Sequence, residues 1–166
     1  VERWDLHQVH AEAGRDSEAF CKRGSFLDDI DLFDPLFFKI SGMDAVYMDP
    51  NQRLFLEEAW NALEDAGYVG PSVAGNRCGV YVGCGAGDYE QLFAKDAPVH
   101  SVWGRMSSIL ASRIAYYLDL TGPAVPVDTA CSSSLVAIHL ACQGLWSGET
   151  QMAPVSYTHL RAHETG

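Results

Sequence analysis

Positive charge is scarce in this sequence: 11 lysines and arginines accompany 22 aspartates and glutamates, which gives a formal net charge of −11. Such a charge repels the phosphates of nucleic acids and of anionic membrane surfaces. Long apolar runs are also missing, so no candidate membrane span is present. Because the first residues include Glu2, Arg3 and Asp5, we expect that they are not a signal peptide. We therefore expect a cytoplasmic protein whose partners include neither nucleic acid nor a membrane.

Paired cysteines are absent as well. The five cysteines are odd in number and form no Cys-x-x-Cys motif, which excludes a disulfide framework and a cysteine zinc site: Cys21, Cys78, Cys84, Cys131 and Cys142. His159 and His163 have the spacing of two metal ligands on one helix face, but no third ligand accompanies them. We predict reduced thiols and no metal site.

Phosphate-binding loops are the third absence. Residues 83–87 (GCGAG) are rich in glycine, yet they lack the G-x-G-x-x-G fingerprint and the Gly-Lys-Ser/Thr of a P-loop. These glycines are more typical of a strand that passes close to another backbone. The sequence therefore predicts no directly bound cofactor.

Alternating helix and strand signals are what the chain does contain, and they predict an α/β layered domain. The first helix begins at Asp49 and Pro50, with Gln52 at the capping-box position, and ends at Gly67. A second helix is predicted over residues 106–118. A short buried strand is predicted over residues 77–82 and a short apolar strand over residues 124–127.

A third helix is predicted from Ser132 to Gly148. Its apolar stripe contains Leu135, Ile138, Cys142 and Leu145, and its other faces carry few polar residues. A helix of this composition is expected to be buried nearly all round.

Cys131 lies where the second strand gives way to this helix, in the stretch of residues 127–135 (VDTACSSSL). The unpaired N–H groups and the dipole of a helix N-terminus favour an anion, and the thiolate is the nucleophilic form of cysteine. A free cysteine is also often a buried core residue. Spacing alone leaves both interpretations of Cys131 open, whereas Cys78, Cys84 and Cys142 are expected to serve packing.

The Cys131 stretch resembles the active-site motif of β-ketoacyl synthase domains in modular polyketide synthases. Four further blocks resemble the same family in the same order: residues 24–35 (GSFLDDIDLFDP), 48–60 (MDPNQRLFLEEAW), 78–83 (CGVYVG) and 112–118 (SRIAYYL). The resemblance covers about residues 3–153. Five ordered blocks are specific, and they favour Cys131 as a nucleophile over a core thiol.

The resemblance implies a thiolase-like α/β layered fold, with this chain as a fragment of its N-terminal half and a homodimer as the intact domain. Cys131 would accept an acyl chain from the phosphopantetheine arm of an acyl carrier protein. A malonyl-type thioester would then lose carbon dioxide, and its carbanion would attack the acyl group. The product is a β-ketoacyl thioester of polyketide or fatty acid biosynthesis.

Two histidines of the family, from motifs well downstream of the cysteine, have no counterpart in this sequence. His139 lies about two helical turns after Cys131 and is expected to be a core histidine rather than a base. His7, His10 and His100 fall in polar or loop segments and receive no catalytic role. We therefore expect a chain that can be acylated but cannot condense, and that folds poorly without its covering layers.

Two domain assignments follow. Residues 1–153 are expected to form the partial ketosynthase domain, and residues 154–166 to be an appended sequence derived from an adapter or vector. The polarity changes abruptly after Ala153, and Pro154 would interrupt a central strand. This segment is therefore excluded from the fold prediction.

Two other functions remain open at this point. A non-elongating domain would keep the cysteine, bind the carrier and pass acyl chains on without condensation; loss of both histidines from the adjoining gene would favour it. A cysteine hydrolase would require a histidine and an orienting acid beside Cys131, and no such pairing is evident in the sequence.

Overall fold

The computed structural model describes residues 27–68, 70–87, 89, 93 and 98–158. Helices and strands alternate along these ranges, as the sequence predicts. In chain order they are α1 (Gly42–Val46), α2 (Pro50–Asp65), β1 (Val80–Cys84), α3 (Ser107–Tyr117), β2 (Ala124–Val127), α4 (Ser133–Ser147) and β3 (Val155–Thr158). Short 3₁₀ helices cover Gly70–Ser72 and Val99–Gly104.

The three strands form a parallel sheet in the order β2-β1-β3, so β1 is central. Val80 pairs with Ala124, and Tyr81 pairs with both Val125 and Val155. All five residues of β1 are buried. A parallel strand covered on both faces is expected to be this uniformly apolar.

The two faces of β1 contact different helices because successive side chains of a strand point in opposite directions. Val80, Val82 and Cys84 join a core cluster with residues of α2 and α3. Tyr81, on the other face, joins a smaller cluster with Ala137 and Ala141 of α4. The sheet thus separates α2 and α3 from α4.

Helix α2 has the predicted ends, but its first turn is capped differently from the prediction. The Asp49 carboxylate accepts a hydrogen bond from the Asn51 N–H at 2.8 Å, as an N-cap should. The Asp49 N–H donates to the carbonyl of Gly104 at 2.9 Å. The predicted capping box, in which Gln52 accepts from that N–H, is therefore wrong, because the Asp49 N–H is already bonded.

Gln52 instead joins α2 to α3 and to the loop before it. Its buried amide donates to the carbonyls of Trp103 and Met106, both at 3.2 Å. Its side-chain oxygen accepts from Nε of Arg113 at 2.9 Å. Burial lowers the pKa of Arg113, while the nearby Asp44 carboxylate acts in the opposite direction. The amide thus satisfies three polar groups at once.

The C-terminal end of α2 and the bounds of α3 agree with the predictions. Gly67 has a φ of 79°, and the Tyr68 N–H donates to the carbonyl of Leu63 at 2.8 Å, which is a Schellman ending. Helix α3 runs from Ser107 to Tyr117. Its buried residues are Leu110, Ala111, Ile114 and Ala115.

Helix α4 has the predicted bounds, but the prediction of nearly all-round burial is wrong. Its inward face consists of small residues, Ala137, Ala141 and Gly144. Leu135 is 71% exposed and Trp146 82% exposed. The sheet covers only one side of α4, and no second layer covers the other within the residues that the structure describes.

His139 lies on the outer side of α4 and is exposed. The prediction that it is a core histidine is therefore wrong, for the same reason that the outer apolar side chains are uncovered. Its imidazole has solvent around it instead of core partners.

Residues 155–158, which the change of polarity after Ala153 assigns to an appended sequence, form strand β3. Pro154 does not interrupt the strand, so that prediction is wrong. The proline stands just before β3, and its carbonyl accepts a hydrogen bond from the Tyr81 N–H at 3.1 Å. A missing N–H is tolerated at the start of an edge strand. His159 and His163 lie outside the described residues.

A bilayer requires about 20 apolar residues in one helix. Helix α2 has 16 residues. No helix within the described part of the chain combines the length and apolarity that a membrane crossing requires.

We predict that Gln52→Ala lowers the free energy of unfolding by about 2 kcal/mol, because it removes the buried amide that bonds to the carbonyls of Trp103 and Met106 and to Nε of Arg113. Urea unfolding at low protein concentration, followed by tryptophan fluorescence, measures this change. Gln143→Ala is the matched control, since Gln143 is exposed on α4. It should change stability by less than about 0.5 kcal/mol. Equal effects of the two substitutions would contradict the bridging role of Gln52.

Candidate active site

Cys131 lies in the turn between β2 and α4, two residues before the helix begins, and its side chain is exposed. Strand β2 ends at Val127, so five residues connect the two elements. The predicted position at the strand–helix junction is confirmed. The interpretation of Cys131 as a buried core thiol is wrong, because the turn places its side chain in solvent and outside the packed helices and strands.

The residue before Cys131 has an unusual backbone. Ala130 adopts a φ of 53°, in the left-handed region that residues other than glycine rarely occupy. This conformation costs an alanine about 1–2 kcal/mol. Its N–H donates to Asp128 Oδ1 at 3.1 Å, and its carbonyl accepts from Ser133 Oγ at 2.7 Å. Hydrogen bonds on both sides of Ala130 thus hold the bend that presents Cys131.

The N-terminus of α4 offers unpaired N–H groups close to Cys131 in the chain. The Ser133 N–H donates to the carbonyl of Ala130 at 3.0 Å. The N–H groups of Ser134 and Leu135 have no hydrogen-bond partner among the described residues. Such groups and the helix dipole favour a negative charge at this end of the helix.

Strand β1 passes directly beneath this helix start at Gly83. A Cβ atom at position 83 would lie 2.9 Å from the Ser133 carbonyl carbon and 3.0 Å from the Ser134 nitrogen. Such short distances are incompatible with a side chain. The prediction that glycine permits a close backbone approach here is confirmed.

The two cysteines in and just before β1 are shielded from solvent, unlike Cys131. Cys78 and Cys84 are buried. Burial raises the pKa of Cys78 to about 11 and also raises the pKa of Cys84. Their predicted packing role is confirmed. Cys142 is half-buried on α4, and Cys21 lies outside the described residues.

In the part of the chain that the structure describes, no acid–base pair accompanies Cys131. Among the described residues its sulfur forms no hydrogen bond. His100 lies in the 3₁₀ helix Val99–Gly104 and is paired with Asp44 of α1 at 3.6 Å. The histidine–acid arrangement of a cysteine hydrolase is therefore not found within the described ranges. Groups of histidine, cysteine and acidic side chains that could hold a metal are likewise not found there.

Ser133 is the residue that sequence reasoning missed. Its hydroxyl bonds to both Thr129 and Ala130, whereas the sequence distinguishes it in no way from Ser132 and Ser134. The available signal was its position, four residues after Thr129, which allows a serine at a helix start to reach back to the preceding turn.

The sequence matches the family described as "Beta-ketoacyl synthase, N-terminal domain" over residues 1–164. The chain belongs to the β-ketoacyl synthase family. It is 51% identical over 142 residues to the polyketide synthase PksM of Bacillus subtilis, which covers 85% of this chain and 3% of PksM. It is 50% identical over 134 residues to 6-methylsalicylic acid synthase of Aspergillus niger, covering 79% of this chain and 8% of that enzyme.

The fold agrees with a solved ketosynthase, that of module 6 of the bacillaene synthase from Bacillus subtilis. The TM-score is 0.77 at 43% identity, over 92% of this chain and 24% of the solved one. The thiolase-like α/β fold that the resemblance implies is thereby confirmed. The chain spans only a small part of its β-ketoacyl synthase relatives.

We predict that iodoacetamide alkylates Cys131 faster than Cys78 and Cys84. Cys131 is exposed, whereas at pH 8 only about one Cys78 thiol in a thousand is ionised, given its pKa of about 11. Peptide mass spectrometry after short exposure locates the modified residue, and Cys131→Ala should lose the fast phase. Urea should make Cys78 and Cys84 reactive as well. Equal rates in the folded chain would contradict the described burial.

Proposed function

We propose that this chain is the acyl-accepting part of a polyketide ketosynthase and that Cys131 is its nucleophile. The observation that supports this most is the exposed Cys131 thiol at the start of α4, in a member of the β-ketoacyl synthase family. A thiol in this position can be approached by a large thioester. The unpaired N–H groups of Ser134 and Leu135 favour a negative charge at this end of α4.

The first step is a thioester exchange. The Cys131 sulfur attacks the carbonyl carbon of an acyl thioester and forms a new carbon–sulfur bond. The original carbon–sulfur bond breaks, and the departing pantetheine sulfur takes up the proton that the Cys131 thiol loses. The acyl chain then remains on Cys131 as a thioester.

The second step is a decarboxylative Claisen condensation. A malonyl thioester releases carbon dioxide, and the resulting carbanion forms a carbon–carbon bond with the acyl carbonyl. The bond to Cys131 breaks, and its sulfur takes a proton from solvent. The family performs this step with two histidines that have no match in this sequence, and electrostatic groups of that kind often supply much of the rate. We therefore expect only the first step from this chain alone.

The proposed donor of the acyl group is the phosphopantetheine arm of an acyl carrier protein. The exposed side chain of Cys131 leaves its sulfur accessible to such an arm. A homodimeric intact domain and a cytoplasmic location complete the proposal, in keeping with the net charge of −11. The non-elongating alternative is not favoured, because the similar proteins are polyketide synthases.

We predict that an acyl-pantetheine thioester transfers its acyl group to Cys131. Intact mass should increase by one acyl group during incubation, and the same increase should be absent from Cys131→Ala. Cys142→Ala is the matched control, because it removes a half-buried cysteine of the same helix and should leave acylation unchanged. Acylation that persists in Cys131→Ala would overturn the assignment of the nucleophile.

We also predict that the acylated chain releases no carbon dioxide from a malonyl thioester, because the groups that assist decarboxylation are missing. Radiolabelled malonyl-pantetheine, with a complete ketosynthase as the positive control, makes this measurable. Trapped labelled carbon dioxide above the level of a protein-free blank would contradict this expectation.

We further propose that residues 1–153 are native ketosynthase sequence and that residues 154–166 are appended. The abrupt change of polarity after Ala153 supports this boundary. The opposite case has support too, since the family match extends to residue 164 and residues 155–158 pair with β1. Sequencing the source DNA past codon 153 decides between them: a different, apolar continuation is expected, and an identical one would refute the boundary.

A further inference from the structure

Ser133 is fully buried at the start of α4. Its hydroxyl acts both as a hydrogen-bond acceptor and as a donor. It accepts a hydrogen bond from the Thr129 N–H at 2.8 Å and donates one to the Ala130 carbonyl at 2.7 Å. These two backbone groups enclose the left-handed Ala130, the residue immediately before Cys131. The Ser133 side chain therefore holds the backbone on both sides of Ala130: the Thr129 N–H before it and the Ala130 carbonyl after it.

A strained backbone conformation persists only where its surroundings determine it strongly. Another hydrogen bond of the turn, from the Ala130 N–H to Asp128 Oδ1, is exposed to solvent and is therefore weaker in effect. The Ser133 hydroxyl is buried, and it holds the Ala130 carbonyl together with the Ser133 N–H, which donates to the same carbonyl at 3.0 Å. Of these contacts, only the hydroxyl also holds the Thr129 N–H, and it thereby fixes the direction in which Cys131 leaves the turn.

Ser133 is in turn held from below by β1. A side chain at position 83 would lie 3.0 Å from the Ser133 Cβ and would displace it. Gly83 thus lets the sheet serve as a rigid support for the serine. The chain of contacts runs from β1 through Ser133 and Ala130 to Cys131.

We propose that Ser133 is a positioning residue for Cys131, which it orients through Thr129 and Ala130, with Gly83 as its support. The inference rests on the proposed acyl transfer, because orientation matters for attack on a thioester carbonyl. A small alkylating reagent makes far smaller demands on the direction of the sulfur. The two reactions therefore separate positioning from simple exposure.

The test uses Ser133→Ala in the whole chain, after circular dichroism has confirmed helix content. At saturating acyl-pantetheine thioester, the rate constant for acylation should fall by about tenfold to a hundredfold, as expected for a misplaced reacting group. The half-saturating thioester concentration and the rate of iodoacetamide alkylation should change by less than about twofold. An acylation rate like that of the original chain, or an equal slowing of both reactions, would overturn the proposal.

Ser132→Ala is the matched control. The Ser132 hydroxyl is exposed and donates to the Thr129 carbonyl at 2.7 Å, on the outside of the same turn. Its loss should leave acylation within about twofold of the original rate. A loss as large as that of Ser133→Ala would show that any serine of the turn matters equally, which contradicts the specific role of Ser133.

Gly83→Ala tests the support in a separate variant, after circular dichroism has confirmed its helix content, because the added Cβ must displace the backbone of Ser133 and Ser134. It keeps the hydroxyl but pushes Ser133 away from the sheet, so acylation should slow while alkylation does not. Rates like those of the original chain in Gly83→Ala would overturn the role of the support.

Amide hydrogen exchange separates this inference from the proposed function, because it requires no acyl transfer. The Thr129 amide should exchange about tenfold faster in Ser133→Ala, while the amides of β2 should not change. If the original chain is never acylated, the proposed function fails, and the exchange result still decides whether Ser133 holds the turn. An unchanged Thr129 amide would refute that geometry.

Discussion

The close approach of β1 to the start of α4 is the constraint on which the rest of this structure depends. It is possible only because Gly83 has no side chain where the backbone of Ser133 and Ser134 passes. The contact sets the distance between the N-terminus of α4 and the sheet. The turn between β2 and α4 leads into this contact, and Cys131 lies exposed in that turn.

A second consequence of this packing is the one-sided burial of α4. Small residues are needed where a helix lies this close to a sheet, and Ala137, Ala141 and Gly144 fill that side. The large apolar residues are left to the outer side, where Leu135 and Trp146 are exposed. The helix is therefore apolar all round in sequence but buried on only one face among the described residues, and this agrees with the small share of its relatives that the chain spans.

The other side of the sheet is organised by polar contacts as well as by packing. Gln52 satisfies the carbonyls of Trp103 and Met106 and the Nε of Arg113 inside the layer of α2 and α3. Buried polar groups are costly unless all of their bonding positions are used. These bonds join α2 to α3 and to the loop before α3, on the side of the sheet away from α4.

The sequence by itself determined the three long helices α2, α3 and α4, the α/β class and the position of Cys131 between a strand and a helix. These follow from local signals: Asp49 and Pro50 at a helix start, Gly67 and Gly148 at helix ends, and a run of small residues around the cysteine. The five ordered blocks also identified the family correctly. Such features depend on backbone preferences that each residue has regardless of its distant neighbours.

Only the tertiary structure decided which partners these residues meet. Asp49 bonds to Gly104, so Gln52 turns away from the predicted cap and binds residues about 50 positions later. His139 is exposed because the described residues provide no layer above α4, and Val155–Thr158 join the sheet because the edge of β1 is open to pairing. Ser133 differs from Ser132 and Ser134 only through its burial against Gly83. Each of these outcomes depends on contacts between residues far apart in the chain, which local sequence patterns do not encode.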